Sequence, residues 1–227
     1  MKYSKKIYYR NNIIYIMKFE NIVNNDKIFL YCGDMPKQRR DYTNIPFIGL
    51  SLHNQDQYHI KHDITQTLPL KNNTVDIIQS EDVMEHIEYR MLKKSIDDIF
   101  RVLKPGGLFR LSMPDYNCDV LYNRSEKDGN GNIIFDKGGG GRYDIINKKV
   151  IAGGHVWFPV FNSVKSLLES TNFLNDKINY LHYYDENNNP ITNKIDYSKG
   201  YISRTPDHDN RVKNPFRPMS IVVDCYK

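Results

Sequence analysis

The chain has 227 residues, 40% hydrophobic and 26% charged, enough to bury one sizeable core and too few to require two domains. Its 32 Lys and Arg against 27 Asp and Glu give a net charge of +5, but the two signs interleave along the chain, so no basic stripe marks a nucleic-acid partner. Cys32, Cys118 and Cys225 are odd in number, far apart and in no CxxC pair, which argues against a disulfide framework and a cysteine zinc site and fits a reducing, cytoplasmic compartment.

Residues 1–25 place Ile13, Ile14, Ile16 and Met17 beside charged neighbours and read as an N-terminal extension to one domain over 26–227. The stretch from Met1 to Lys18 lacks the uninterrupted apolar run of a signal peptide or a membrane span, so a soluble protein is expected. An apolar run from Ile28 to Tyr31 ends at Cys32-Gly33-Asp34, and Pro36 bars its continuation, which predicts a buried strand leaving into a tight turn. Pro46 to Leu50 and Val75 to Ile78 read as two further buried strands. Met84, Ile87, Met91, Leu92, Ile96, Ile99, Val102 and Leu103 recur at three- and four-residue intervals, predicting an amphipathic helix that stops at Lys104-Pro105-Gly106-Gly107. A strand from Leu108 to Met113 follows, closed by Pro114-Asp115.

Beyond it, residues 117–154 are rich in Gly, Asn, Asp and Lys and read as an insertion or lid. Val160, Val164, Leu167 and Leu168 then predict a short helix, and Ile178 to Tyr184 with Ser220 to Tyr226 a terminal antiparallel pair. The alternation of strands and helices is that of an α/β, mostly parallel sheet covered by helices.

In such a sheet ligands bind at the carboxyl ends of the strands, and those positions are unusually polar here. They carry Tyr31, Cys32, Gly33 and Asp34; Ser51, Leu52 and His53; His62, Asp63 and Ile64; Ser80, Glu81 and Asp82; and Pro114 with Asp115.

Three segments in this order resemble the class I S-adenosylmethionine-dependent methyltransferases. They are Lys27 to Gly33; then His62-Asp63-Ile64, Leu68-Pro69-Leu70, Asn73 to Ile78 and Glu85-His86-Ile87; and Arg101 to Gly107 with Leu111 to Asp115. The resemblance implies a Rossmann-like doubly wound sheet with a C-terminal antiparallel strand pair, S-adenosyl-L-methionine as cofactor, and the polar strand ends from Tyr31 to Asp82 as its site. Within it, Gly33 would let backbone approach the methionine end of the cofactor. Asp63 stands where the family often places an acid near the adenine amino group, though an Asp after a strand also reads as a helix cap. Two positions depart from the family pattern: Tyr31 replaces a glycine of the first motif, and Ser51 replaces the acid that commonly holds the ribose hydroxyls, a task Asp34 or His53 could take over.

On the acceptor side, Gly153 to Phe158 and Arg204 to Arg211 resemble segments of methyltransferases found with surface-polysaccharide glycosyltransferases, bacterial and of large algal viruses. Transfer to a sugar hydroxyl needs a proton acceptor, and His155, Asp115 and His208 are the candidates, His155 first. Trp157 and Tyr143 offer flat faces for a sugar ring, and Arg204, Asp207 and Asp209 offer polar contacts. A divalent cation on Asp207, His208 and Asp209 is a minor alternative, and no metal is assigned. The expected function is therefore O-methylation of a sugar hydroxyl on a glycan or nucleotide-linked sugar, with a glycosyltransferase as a further partner. The alternatives are methylation of another small molecule, a protein or RNA, and a degenerate, non-catalytic binding module motivated by Tyr31 and Ser51.

Overall fold

The computed structural model describes residues 16–227 and, before them, the backbone of two short strands that pair antiparallel, Ile7–Tyr9 (β1) and Asn12–Ile14 (β2). The expected extension over 1–25 thus lies partly outside the described residues; its last part is a one-turn helix, Phe19–Ile22 (α1), whose Ile22 enters the core. The chain continues through β3 (Phe29–Cys32), α2 (Lys37–Tyr42), β4 (Ile48–Ser51), β5 (His59–Lys61), β6 (Val75–Glu81), α3 (Tyr89–Val102) and β7 (Leu103–Pro114). After these come α4 (Asp119–Arg124), β8 (Ser125–Lys127), β9 (Ile133–Asp136), β10 (Arg142–Asp144) and β11 (Lys149–Ile151). The last elements are α5 (Phe161–Glu169), β12 (Ile178–Tyr184), β13 (Pro190–Thr192) and β14 (Ser220–Tyr226).

Eight strands form one sheet in the order β13-β12-β14-β7-β6-β3-β4-β5. From β7 to β5 the neighbours are parallel, while β14, β12 and β13 add on antiparallel, the doubly wound sheet with an antiparallel C-terminal edge that the sequence predicts. The chain steps from β3 outward to β4 and β5, then returns to lay β6 on the other side of β3. In a doubly wound sheet such a reversal marks the carboxyl ends of the two strands, here β3 and β6, as the place where a ligand crevice is expected.

Side-chain alternation sets the two faces. Leu30 and Cys32 of β3, Phe109, Leu111 and Met113 of β7, and Ile221, Val223 and Cys225 of β14 point into the main core. Leu92, Ile96, Ile99 and Val102 of α3 close it beside Val164, Leu167 and Leu168 of α5, as the 3.6-residue spacing requires. Among the described residues no helix as long as α3 or α5 contributes to the clusters on the opposite face. Tyr31 packs there with Met35 and Phe47, and Val222 packs with Ile195 and Ile202 of the long excursion between β13 and β14. Polar side chains on this face tie the excursion down. Arg110 donates to both oxygens of Asp224 at 2.8 and 2.7 Å and to the carbonyls of Asp196 and Gly200, Gln79 donates to the Tyr201 carbonyl, and Glu81 accepts from Ser203.

One expectation changes. The helix predicted from Met84 begins at Tyr89, after a 3-10 turn over Met84–His86. The Met84 carbonyl accepts from the Ile87 amide and the Trp157 indole, and the Glu85 carbonyl from the Val156 amide, so these carbonyls bond outside an α-helical ladder. The glycine-rich segment 117–154, expected as an insertion or lid, holds α4 and two β-hairpins, β8–β9 and β10–β11. Its periodicity was hidden because these strands are only three or four residues long. Among the described residues no helix is long and apolar enough to cross a membrane.

Candidate active site

At the crevice between β3 and β6 the chain leaves β3 through Gly33, whose φ of +91° suits glycine and whose amide donates to the Leu50 carbonyl. A Cβ there would stand 3.0 Å from Val83 Cγ2. Cys32 lies fully in the core, and burial pushes its thiol up to about 12. Tyr31 is buried on the opposite face, where its hydroxyl meets the Arg39 guanidinium and the Glu81 carbonyl. Glu81 closes β6 with one oxygen, Oε1, taken by Arg39 at 3.2 Å and by the Ser203 amide and hydroxyl. Burial raises its pKa against the opposing pull of Arg39. Asp82 bonds Arg204 at 3.2 Å. Glu81 Oε2, Asp82 Oδ1 and Arg204 Nη1 are buried without any hydrogen-bond partner.

The next loops hold the other predicted cofactor residues less openly. Ser51 Oγ accepts from the amides of His53 and Asn54, while Asn54 Nδ2 reaches back to the exposed Asp34 at 3.0 Å. Asp63 closes a turn, with no helix following it, by accepting from the Thr65 amide and hydroxyl. Ile64 and Ser80 are buried and Leu52 is exposed.

One turn beyond β6, Glu85, His86 and His155 converge, with one ligand atom from each inside a 4.8 Å span. Glu85 is fully buried, and neither carboxylate oxygen meets another residue's donor. Burial, with the Asp82 carboxylate adding to it, raises its pKa well above the usual range. His155 Nε2 lies 3.6 Å from Glu85 Oε1, and burial, with His86 beside it, lowers its pKa to about 3, so the imidazole is neutral at pH 7.

The elements behind His155 come from the glycine-rich segment. Its Nδ1 lies 2.5 Å from the Tyr116 hydroxyl, which donates to Asp136 Oδ2 at 2.6 Å. Asp136 in turn accepts from Arg124 and from the Gly138 amide. Burial alone would raise the Asp136 carboxyl, but the Arg124 and Tyr116 hydrogen bonds outweigh it and hold the pKa low. Gly139 passes so close under the imidazole that a Cβ would meet His155 Cγ at 2.6 Å. His86 donates from Nδ1 to the Gly153 carbonyl at 2.9 Å, and its ring is exposed.

Other predicted site residues lie outside this cluster. Asp115 is buried with its two oxygens taken by the amides of Asn117 and Tyr184, a position that ties β7 to β12; burial raises its pKa to about 6. His208 bonds the Ile202 carbonyl and the Tyr42 hydroxyl and packs among Tyr42, Tyr197 and Tyr201. Asp207 accepts from Tyr197, and Asp209 pairs with Arg211, so the sequence neighbours Asp207, His208 and Asp209 face separate partners instead of one ion. Trp157 spends its indole N–H on the Met84 carbonyl and its edge on Tyr89, a packing role rather than an open platform. Tyr143 sits on β10, half-buried.

Sequence reasoning missed Arg39 and Ser203, which converge on Glu81, and the Tyr116-Asp136-Arg124 chain behind His155. It quoted Glu85-His86 only as a family motif. Two titratable residues side by side just past a strand end were the available signal.

A family model for a methyltransferase domain matches residues 44–111, from the loop before β4 into β7. No curated protein matches the chain. Among solved structures, the chain is similar to a SAM-dependent methyltransferase from Archaeoglobus fulgidus, with a TM-score of 0.51 and 14% identity, covering 92% of this chain and 90% of that one. A SAM-dependent methyltransferase from Methanosarcina mazei gives a TM-score of 0.49 at 12% identity, covering 92% and 95%. At 14% identity the likeness to the Archaeoglobus protein is one of fold. Residues 44–111 thus match a methyltransferase-domain model, and the sheet around them has the class I methyltransferase fold.

Proposed function

We propose that the chain transfers a methyl group from S-adenosylmethionine to a hydroxyl oxygen, and that the acceptor is a sugar hydroxyl of a glycan or nucleotide-linked sugar. The observation that carries this reading is the placement of Glu85, His86 and His155 one turn beyond the acids that close β6.

The residues at the crevice fit the cofactor. Its methionine end is a zwitterion, and the unpartnered atoms here are of both signs: a guanidinium nitrogen on Arg204, carboxylate oxygens on Glu81 and Asp82. Glu81 and Asp82 would hold the ammonium, and Arg204, with Arg39 beside it, the carboxylate. Gly33 leaves the close approach open. The Ser51 hydroxyl is engaged by two amides, so the ribose hydroxyls fall to Asp34 and Asn54, already joined across the two loops. When bound, S-adenosylmethionine supplies an electrophilic sulfonium methyl.

On the acceptor side the cluster opens at the exposed His86, while Glu85 and His155 form its buried floor. Both imidazoles direct Nδ1 at anchoring oxygens, which leaves His86 Nε2 and the Glu85 carboxylate to receive the acceptor's proton, while the weakly basic His155 Nε2 can only accept a hydrogen bond. The Gly153 carbonyl beside His86 adds a polar group there, as a polyhydroxylated acceptor requires.

The test is calorimetric titration with S-adenosylmethionine and S-adenosylhomocysteine on the wild type and Gly33→Trp, followed by transfer of radiolabelled methyl to a panel of rhamnose-like and other glycan acceptors. Binding lost in the variant, with label entering a sugar, is the expected result. Label entering only a non-sugar acceptor would replace the sugar, and absence of cofactor binding would overturn the whole reading.

A further inference from the structure

We propose that Glu85, His86 and His155 form a binding site for one divalent first-row transition metal ion. Three independent features of the site converge on it.

The first is the state of Glu85. A buried carboxylate with neither oxygen hydrogen-bonded is costly unless something positive faces it, and Arg204, the nearby cation, is paired with Asp82. The second is the direction of the imidazoles. A carbonyl oxygen can only accept, so His86 Nδ1 carries the proton it gives to Gly153 and its Nε2 carries a lone pair. The Tyr116 hydroxyl spends its proton on Asp136, so it accepts from His155 Nδ1 and leaves the His155 Nε2 lone pair free as well. A metal-binding histidine has this construction: one nitrogen fixed by an oxygen behind it, the other presented to the ion. Here both histidines have it, and His155 has a carboxylate and an arginine further back.

The third is distance. Ligand atoms about 3.4 Å apart suit bonds of about 2.1 Å at tetrahedral angles. His155 Nε2 and Glu85 Oε1 stand at 3.6 Å, and a ring nitrogen of His86 completes a set whose atoms all lie within 4.8 Å of one another. Two imidazoles and one carboxylate select ions from manganese to zinc over magnesium or calcium, which prefer all-oxygen sites. Three protein ligands leave a coordination position open on the His86 side, where the acceptor hydroxyl assigned above would lie; as ligands, Glu85 and the two Nε2 atoms would no longer take its proton. The metal site itself does not depend on that assignment.

The experiment strips the full-length protein with EDTA and titrates it with Co2+, following the visible d–d absorption, with Zn2+ as competitor. Expected are one equivalent of Co2+ bound, its displacement by Zn2+, and affinity weaker by at least about tenfold in Glu85→Gln and in His86→Ala. The His86 side chain is exposed, so its removal leaves the core intact should Glu85→Gln fold poorly. No saturable Co2+ binding, or affinity unchanged in either folded variant, overturns the site. Metal binding without S-adenosylmethionine binding would leave this inference standing and remove the methyl-transfer reading; the reverse result would do the opposite.

Discussion

The Tyr116 hydroxyl stands 2.5 Å from His155 Nδ1 while donating to Asp136 Oδ2 at 2.6 Å, and this fixes the tautomer of a histidine that sequence reasoning takes for a free base. The proton sits on Nδ1, and the lone pair on Nε2 faces Glu85. Because Asp136 is itself clamped by Arg124, the imidazole has little freedom to turn.

Tyr116→Phe removes that fastening with little change of volume. The variant leaves His155 Nδ1 without its partner and Asp136 with one donor fewer, an expected loss of about 1–3 kcal/mol of stability. Methyl transfer should fall by about 10- to 100-fold while cofactor affinity holds, since Tyr116 lies behind the acceptor side and not at the β3–β6 crevice. Thermal melting, turnover and calorimetry separate the three effects, and an unchanged turnover would show that the anchoring of Nδ1 is immaterial.

Gly139→Ala tests the same ring from below. The added Cβ would lie 2.6 Å from His155 Cγ and 2.7 Å from Nδ1, so the imidazole must move. Turnover should drop by about tenfold or more, since a displacement of about 1 Å at a reacting group costs up to about 100-fold. Far-ultraviolet circular dichroism should be unchanged. Loss of the dichroism signal would instead make Gly139 a folding position.

What the sequence made legible was whatever repeats. The α3 stripe, the Pro-Gly-Gly stop and the alternating strands are periodic signals over many residues, and from them the sheet and its polar strand ends follow. The site is different in kind. Asp136 and His155 lie 20 and 39 residues beyond Tyr116 and meet it only because the glycine-rich segment folds back as hairpins. No local pattern encodes that meeting. Asp115 and Trp157 illustrate the converse: each has the right chemistry in the right stretch, yet two backbone amides and one carbonyl respectively use up their polar groups.

Asp115 offers a pH test. Burial raises its pKa from 3.8 to about 6, so the folded state holds the proton more tightly than the unfolded chain. Its contribution to stability is complete below about pH 4 and is lost as pH rises through about 6. At about 1.4 kcal/mol per pH unit that interval amounts to about 3 kcal/mol. In Asp115→Asn this component disappears, so the stability difference between wild type and variant should shift by about that amount between pH 4 and pH 7, in favour of the wild type at pH 4. Denaturant melts at the two pH values measure it; a difference independent of pH would mean that Asp115 titrates normally.

The fully buried Arg110 carries a different load. Its guanidinium forks onto Asp224 of β14 and also donates to the Asp196 and Gly200 carbonyls, so one side chain joins the sheet to the excursion that brings Ser203 and Arg204 onto Glu81 and Asp82. Arg110→Met leaves Asp224 buried and unpaired, an expected cost of about 3–5 kcal/mol. Adding Asp224→Leu removes the stranded charge and should restore much of the stability, because an apolar pair can replace a buried ion pair at little loss. It cannot restore the two carbonyl contacts. The double variant should therefore melt near the wild type yet bind S-adenosylhomocysteine more weakly, by about tenfold, because Ser203 and Arg204 are no longer held over the crevice. Equal recovery of stability and binding would mean that the excursion is held by its apolar contacts, Ile195 and Ile202 against Val222, and that Arg110 serves the sheet alone.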